Sequence, residues 1–529
     1  MAQIRQRVLI ALALAAPFAA NAQKFYPDDP LLVEPPPLNV PHAHSRDIND
    51  YYDFFLNTFH ETDKQQIKHH DPAPSQAVNT LGEVPDNSWF TNRIGSRPMS
   101  MEELLRGPGT DHAPDASKPW NVLSGKTEGI TPGLVIQDAA GRKYFLKFDP
   151  KDNPDMASAA DVIGTKFFYA LGYFTPENYI VNFSREQLTL DPKATIKDPQ
   201  GHKRPMTVRD LNGILERVGE RSPGRYRGMA SLTVAGEILG PHRYEGTRSD
   251  DPNDIVPHEN RRDQRGLYVF CAWLNHTDAK SINSLDSLVT IDGVKSVRHF
   301  LIDFGDIMGS DSDEPKEPWR GHVFAWDAKP AAAQFFSLGL YVPAWERAHY
   351  PHLPEIGNFD YRTFDPLNWH ENYPNPAFDL RTPGDIYWAA KKVMAFSGEA
   401  IRAIVQTGQY SDPRSVDWAV KCLIERRNRL GRAAFGLVLP LDNFRVQGGL
   451  LAFDDLGAKY GFTQPRTYSV QWSEYDNQTG QKRPIAGADM HVPNSAALYI
   501  AADIKSADPK KSVTVYLRRD TVVGIDREW

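Results

Sequence analysis

Cysteine is nearly absent. Cys271 and Cys422 are the only two in 529 residues, and no C-x-x-C spacing exists, which removes cysteine-built zinc sites and dithiol redox chemistry. Each sits in an apolar helical pattern, so two buried thiols are as good an expectation as one disulfide. Basic charge is not in excess either: the formal net charge is −7, and nothing points to a nucleic-acid partner. After the N-terminal segment no apolar run is long enough for a membrane span. No repeat or low-complexity tract occurs. Trp369-His370-Glu371 is not part of an H-E-x-x-H metal motif. His42, His44, His69 and His70 lie in irregular polar sequence without companion ligands, which favours solvated surface over a metal site.

What is present begins at the N-terminus. Arg5 and Arg7 precede an apolar run from Val8 to Ala16, and Ala20-Asn21-Ala22 offers a cleavage site before Gln23. This is the three-part pattern of a secretory signal peptide. Residues 1–22 are therefore expected to be removed and the chain to be periplasmic or secreted. No cysteine lies near the cleavage site to carry a lipid.

The length predicts two or three units. Residues 23–120 are rich in Pro, Asp and His and read as an N-terminal extension. Residues 121–240 read as hairpin, helix, strand, insertion and strand, whereas 241–440 are mostly helical with one hairpin and Pro-rich loops. Residues 455–529 carry short strands, among them Thr467–Trp472, Ala497–Ala501 and Ser512–Arg518, and predict a small β-domain.

The central region holds the chemistry. Strands Gly133–Gln137 and Lys143–Phe148 form a hairpin around Asp138-Ala139-Ala140-Gly141. The second strand sets Lys147 among large apolar neighbours. A helix follows over Met156–Leu171, stopped by Gly172, and then a strand over Asn178–Phe183. A strand lysine followed by a helix acid can form a phosphate clamp, the acid orienting the lysine. Asp161 is the first candidate for that acid and Asp155 the second. An isolated edge-strand lysine more often snorkels to solvent. Gly125-Lys126-Thr127 is no Walker motif, because Trp120 stands where its first glycine is needed.

Further on, a helix over Arg262–Leu274 ends in His276-Thr277-Asp278-Ala279-Lys280-Ser281-Ile282-Asn283. A hairpin over Ser287–Ile291 and Ser296–Ile302 then runs into Asp303-Phe304-Gly305. Phosphoryl transfer needs a carboxylate beside the attacking hydroxyl and oxygen ligands for metal. Asp278 supplies the first, Asn283 and Asp303 the second. Lys280 can neutralise the transferring group.

The octapeptide resembles the H-x-D-x-K-x-x-N catalytic loop of protein kinases, and Asp-Phe-Gly their metal-binding tripeptide. The resemblance covers about residues 121–440. In style it is nearer to HipA-type and spore-coat-type bacterial kinases than to eukaryotic signalling kinases. It implies an α+β, bilobal protein-kinase-like fold, with a β-rich N-lobe over 121–240, a helical C-lobe over 241–440, and the β-domain following. It implies ATP with Mg²⁺ or Mn²⁺ as cofactors. Asp278, Lys280, Lys147 and Asp161 would be catalytic, and Asn283 and Asp303 metal ligands. Lys147, Gly129, Gly133 and Glu237 would line the nucleotide site, Glu237 at a hinge after the strand-like stretch Ser231–Ala235. The chain departs from the pattern in three places. The helix acid is Asp, the loop from Gly125 to Gly133 lacks G-x-G-x-x-G spacing, and no A-P-E element follows Gly305.

The resulting expectation is an exported phosphotransferase acting on an unknown hydroxyl of a protein or small molecule. The alternatives are an inactive kinase-fold binding protein, or nucleotidyl transfer on the same fold.

Overall fold

The computed structural model describes residues 23–59, 73–126, 132–198, 201–326, 342–487 and 489–529, with a few positions between 326 and 342. The predicted signal segment 1–22, Gly129, His69 and His70 lie outside the described residues. The architecture is mixed α+β.

The hairpin Gly133–Gln137/Lys143–Phe148 forms as its local chemistry dictates. Asp138 Oδ1 accepts the amides of Ala140 and Arg142 at 3.0 and 2.9 Å, and Gly141 takes φ 81° to close the turn. Around it builds an eight-stranded sheet. Its order is Asn178–Ser184, Arg225–Leu232, Lys143–Phe148, Gly133–Gln137, Trp120–Lys126, Leu188–Lys197 and Lys203–Pro205, with Glu220–Ser222 added to Arg225–Leu232. Trp120–Lys126 and Leu188–Lys197 run parallel. One face is apolar. Val122, Leu134, Ile136, Leu146 and Phe148 pack with Leu211, Ile214 and Leu215 of the helix Val208–Leu215.

The helix Met156–Leu171 is buried on nearly every side, because it is sandwiched between sheet and helical layer. It stops at Gly172, where φ is 127° and a Cβ would overlap the Phe90 ring. The largest core joins this helix to Arg262–Leu274, Pro383–Met394, Gly398–Gln406 and Pro413–Leu437. Cys271 and Cys422 are both free, buried thiols of that core.

A three-stranded sheet carries the predicted hairpin, as Ser284–Ile291 and Val294–Leu301, with Glu237–Gly240 at its edge. The strand expected over Ser231–Ala235 ends at Leu232 instead. The chain turns through Gly236, where φ is 96° and a Cβ would sit 2.6 Å from the Leu288 carbonyl oxygen. Behind this sheet, His242 and His299 bring Nδ1 to 2.9 and 2.7 Å from Asp286 Oδ1, and Arg248 closes Oδ2 at 3.2 Å. Trp89 stacks on His299 at 3.5 Å, which ties the N-terminal extension to the hairpin.

Residues 469–528 form an antiparallel sheet of five strands. Alternation buries both faces. Val470, Trp472, Ile500, Ile504 and Val515 pack under Leu441 and Leu451. Tyr475, Tyr499 and Tyr516 enclose Phe25 on the other face. Among the described residues no helix is long and apolar enough to cross a membrane.

Candidate active site

Alternation along Lys143–Phe148 sends Tyr144, Leu146 and Phe148 into the core and Lys147 to the opposite face. Its antiparallel partner is Gly133, which puts no side chain beside it. Lys147 Nζ lies 3.3 Å from Asp161 Oδ2 and 2.6 Å from Asp303 Oδ1. Burial alone would depress the Lys147 ammonium, but Asp161 and Asp303 outweigh it and hold it above its ordinary value. Asp161 is buried at 2 % exposure. Burial pushes its carboxyl up, to about 6, against the pull of Lys147. Its Oδ1 accepts the Phe304 amide at 2.8 Å. The helix acid thus fixes both the lysine and the backbone next to Asp303. Asp155, the second candidate, pairs elsewhere, with Arg221 and with Arg227 at 3.3 Å.

Phe304 is fully buried and stacks on Phe168 at 4.8 Å, against the bare backbone of Gly164. Asp303 itself has φ 61°. This left-handed turn carries the chain from strand to Phe304.

The octapeptide begins where Asn275 ends its helix in a left-handed conformation, φ 56°. Buried His276 donates from Nδ1 to the Asp306 carbonyl, 2.8 Å away, and Thr277 Oγ1 donates to Asp306 Oδ2 at 2.9 Å. Burial pulls the His276 imidazole down to about 4. Asn283 Nδ2 donates to the Asp278 carbonyl at 2.8 Å and to Asp278 Oδ2 at 2.7 Å. Asn372 Nδ2 donates to Asp278 Oδ1 at 3.1 Å. The Ile302 amide donates to the Asn283 carbonyl at 3.0 Å, which stitches this loop to the strand leading into Asp303.

Lys280 Nζ lies 3.1 Å from Asp278 Oδ1 and 3.1 Å from Asp50 Oδ2. Burial would lower this ammonium, but Asp278 and Asp50 outweigh it and raise it. Asp50 opens the helix Asp50–Phe59, and Tyr373 Oη donates to its Oδ1 at 3.2 Å. That helix turns its acids inward and leaves Tyr51, Tyr52, Phe55 and Phe59 exposed.

A cavity of about 560 Å³ opens beneath the eight-stranded sheet. Gly133, Lys147 and Asp303 of the sequence candidates line it. Asp278, Lys280 and Asn283 stand in the loop joined to its floor at Ile302. The expected hinge side chain, Glu237, is exposed; the neighbouring wall is made by Leu232, Thr233, Val234 and Ile238. Sequence patterns gave no sign of Asp50, Asn372 or Tyr373. None lies near a motif, and each reaches the loop only through the tertiary fold.

No family model matches the chain, and no curated protein matches it in sequence. Solved structures that align with it include the Golgi casein kinase and the Golgi casein kinase with Mn/ADP bound. Each is 10 % identical with a TM-score of 0.30; the alignments cover 76 % of this chain and 96 % and 95 % of those chains. At such scores the likeness decides nothing about the site, whose chemistry rests on the distances above.

Proposed function

We propose that this chain is a kinase-like phosphotransferase that takes a nucleoside triphosphate and a divalent cation in the cavity beneath the eight-stranded sheet. The observation that carries it is the convergence of Lys147, Asp161 and Asp303 from a strand, a helix and the D-F-G tripeptide, with Lys147 and Asp303 lining the cavity and Asp161 buried behind them. The two-lobed division at about residue 240, the kinship in style with HipA-type and spore-coat-type kinases, and export through residues 1–22 belong to the same proposal.

In this reading Lys147 neutralises donor phosphate and Asp161 holds it in place. The acceptor hydroxyl oxygen bonds to the terminal phosphorus as the bond to the leaving diphosphate oxygen breaks, and the hydroxyl proton passes to Asp278. Asn283, Asn372 and Lys280 fix that carboxylate from three sides. Asp303 and Asn283 suit a metal. Asp303 already faces a cation, the Lys147 ammonium, and Asn283 commits its Nδ2 to Asp278, which leaves its amide oxygen as the ligand atom. An oxygen-only set fits Mg²⁺ or Mn²⁺, which when bound would neutralise phosphate charge.

Calorimetry tests the proposal. Metal should tighten nucleotide binding, and nucleotide should tighten metal binding by the same factor. Asp303→Ala should abolish that coupling, whereas Asp278→Ala should keep it and stop transfer. Nucleotide binding that is independent of metal, and equal in wild type and Asp303→Ala, would remove the enzymatic reading. A second reading, a nucleotide-binding protein without transfer, is favoured by one contact: Lys280 is shared between Asp278 and Asp50. Absence of phosphoryl transfer by a chain that still couples metal and nucleotide would select it.

A further inference from the structure

We propose that the hairpin formed by Leu188–Lys197 and Lys203–Pro205 is a phosphate clamp, with Lys203 and Lys197 holding the outer phosphates of the donor. The inference rests on the nucleotide reading of the cavity and assigns a role to the insertion between strands Asn178–Ser184 and Arg225–Leu232.

Sequence supplies the need. A loop between the first two strands would cover the phosphates with backbone amides if it carried G-x-G-x-x-G, and the segment from Gly125 to Gly133 does not. Sheet topology supplies the replacement. Leu188–Lys197 pairs in parallel with Trp120–Lys126, Ser124 opposite Thr195 and Gly125 opposite Ile196. Lys203–Pro205 then adds antiparallel, with Lys203 opposite Lys197.

Alternation decides which way these side chains point. Ile196 is buried in the sheet's apolar core, where its Cδ1 would touch a Cβ on Gly125. Its neighbours Thr195 and Lys197 therefore face the other side, and Lys203 faces the same side as Lys197. That side is the one from which Lys147 projects, and Lys147, Lys197, Lys203 and Thr195 all line the cavity. Lys126 and Gly133 are paired between these strands, so the lysines lie along one transverse row of the sheet. Strand spacing puts Lys197 roughly 14 Å across the sheet from Lys147. Two cations so far apart suit the two ends of a polyphosphate better than one phosphate.

The adjoining wall of the cavity is apolar. Phe145, two residues along the strand from Lys147 on the same face, or roughly 7 Å, pairs with Val135. Val135 and Phe145 line the cavity there, and a base would stack on them. The cavity thus offers an apolar wall beside the lysine row.

The test is calorimetric titration of the full chain with adenosine, ATP and inorganic tripolyphosphate, in Mn²⁺. Lys203 is exposed on a three-residue edge strand, so Lys203→Gln and Lys203→Glu leave the core untouched. Lys203→Glu is expected to weaken ATP and tripolyphosphate binding about tenfold or more, Lys203→Gln less, and adenosine binding not at all. The ATP affinity of the wild type should fall with added salt more steeply than that of Lys203→Glu. ATP affinity within twofold of wild type in both Lys203→Glu and a Lys197→Gln/Lys203→Gln double variant would overturn the clamp and leave the nucleotide reading standing. A wild type that binds neither ATP nor adenosine would overturn both.

Discussion

Gly164→Ala is the sharpest test of how the Asp-Phe-Gly turn is held. Gly164 lies one helical turn beyond Asp161, and a Cβ there would stand 2.5 Å from Phe304 Cβ, 3.1 Å from Phe304 Cγ and 3.3 Å from Ile307 Cδ1. Carbon atoms pack at roughly 3.5–4.0 Å, so the first contact falls short by about 1 Å. Two effects compete. Replacing glycine by alanine inside a helix stabilises by about 1 kcal/mol. Overpacking a tight core costs about 1–3 kcal/mol. The clash wins, because the contacted atom is Phe304 Cβ, next to backbone, and not the far end of a flexible side chain. Phe304 cannot step aside cheaply: it is stacked on Phe168, and Asp161 holds its amide at 2.8 Å. Relief must come from moving the turn, and Asp303 moves with it. The variant should therefore melt below wild type and bind nucleotide with little response to Mn²⁺. Gly213→Ala is the control. A Cβ at this helical glycine meets nothing within 4 Å, so that variant should melt slightly above wild type with its metal response intact. If Gly164→Ala matched Gly213→Ala in both thermal unfolding and calorimetry, the placement of Phe304 against the helix would be wrong.

Other substitutions separate packing from charge. Asp161→Ala loses the Phe304 amide bond, a charge-assisted contact worth about 1.5–3 kcal/mol, whereas Asp161→Asn keeps an acceptor there; both should lose nucleotide affinity, but only the first should melt clearly lower. Asp50→Asn releases Lys280 from one of its two carboxylates. A pair this exposed is worth under ~1 kcal/mol, so ATP binding or turnover should rise by no more than about fivefold; a fall would mean that Asp50 positions Lys280. Phe25→Ala should cost about 3–5 kcal/mol and expose the 469–528 sheet to limited proteolysis, and unchanged proteolysis would contradict the packing of Phe25 among Tyr475, Tyr499 and Tyr516. For His276, burial lowers the folded pKa to about 4 while the unfolded imidazole titrates near its ordinary value of 6.5. Between these values the unfolded chain binds more protons, so this group's contribution is complete above about pH 6.5 and is lost as pH falls, by about 2 kcal/mol at pH 5. Asp161, raised by burial, acts with the opposite sign below about pH 6, so the comparison to make is urea unfolding of wild type and His276→Gln at pH 7 and pH 5. Equal losses in both would exclude His276 as the source.

Legibility followed the range of the interactions. The helices Met156–Leu171 and Arg262–Leu274 and the hairpin Gly133–Gln137/Lys143–Phe148 occur at the expected bounds, because period and turn chemistry are local. The Asp161–Lys147 pair could be reasoned from position, since an acid in the body of the helix after a strand can face back onto it. Glu237 could not: strand propensity over Ser231–Ala235 says nothing of a turn at Gly236 forced by the nearby Leu288 carbonyl. The insertion over 188–205 read only as an insertion. Its place on the cavity depends on parallel pairing with Trp120–Lys126, and a parallel partner is chosen by tertiary contacts, with no short turn in the sequence to announce it.

The N-terminal extension was illegible for a related reason. It has no period because it forms few elements of its own; it completes elements that already exist. Phe25 fills the aromatic face of the 469–528 sheet, clamped by Asn477, which accepts its amide at 2.9 Å and donates to its carbonyl at 2.8 Å. The Val40 amide donates to the Lys295 carbonyl at 2.8 Å, the Arg46 amide to the Leu239 carbonyl at 2.6 Å, and Asp50 then reaches Lys280. Each contact needs one suitable residue, with polar chain between. A segment selected to meet fixed partners at wide intervals carries a linker's composition and yet is held at these points. Its course runs from the tail sheet to the hairpin and on to the H-x-D-x-K-x-x-N loop, and so links the far end of the chain to the site. Phe25 at one end and Asp50 at the other thus tie the tail sheet and the ammonium beside Asp278 to one stretch of chain.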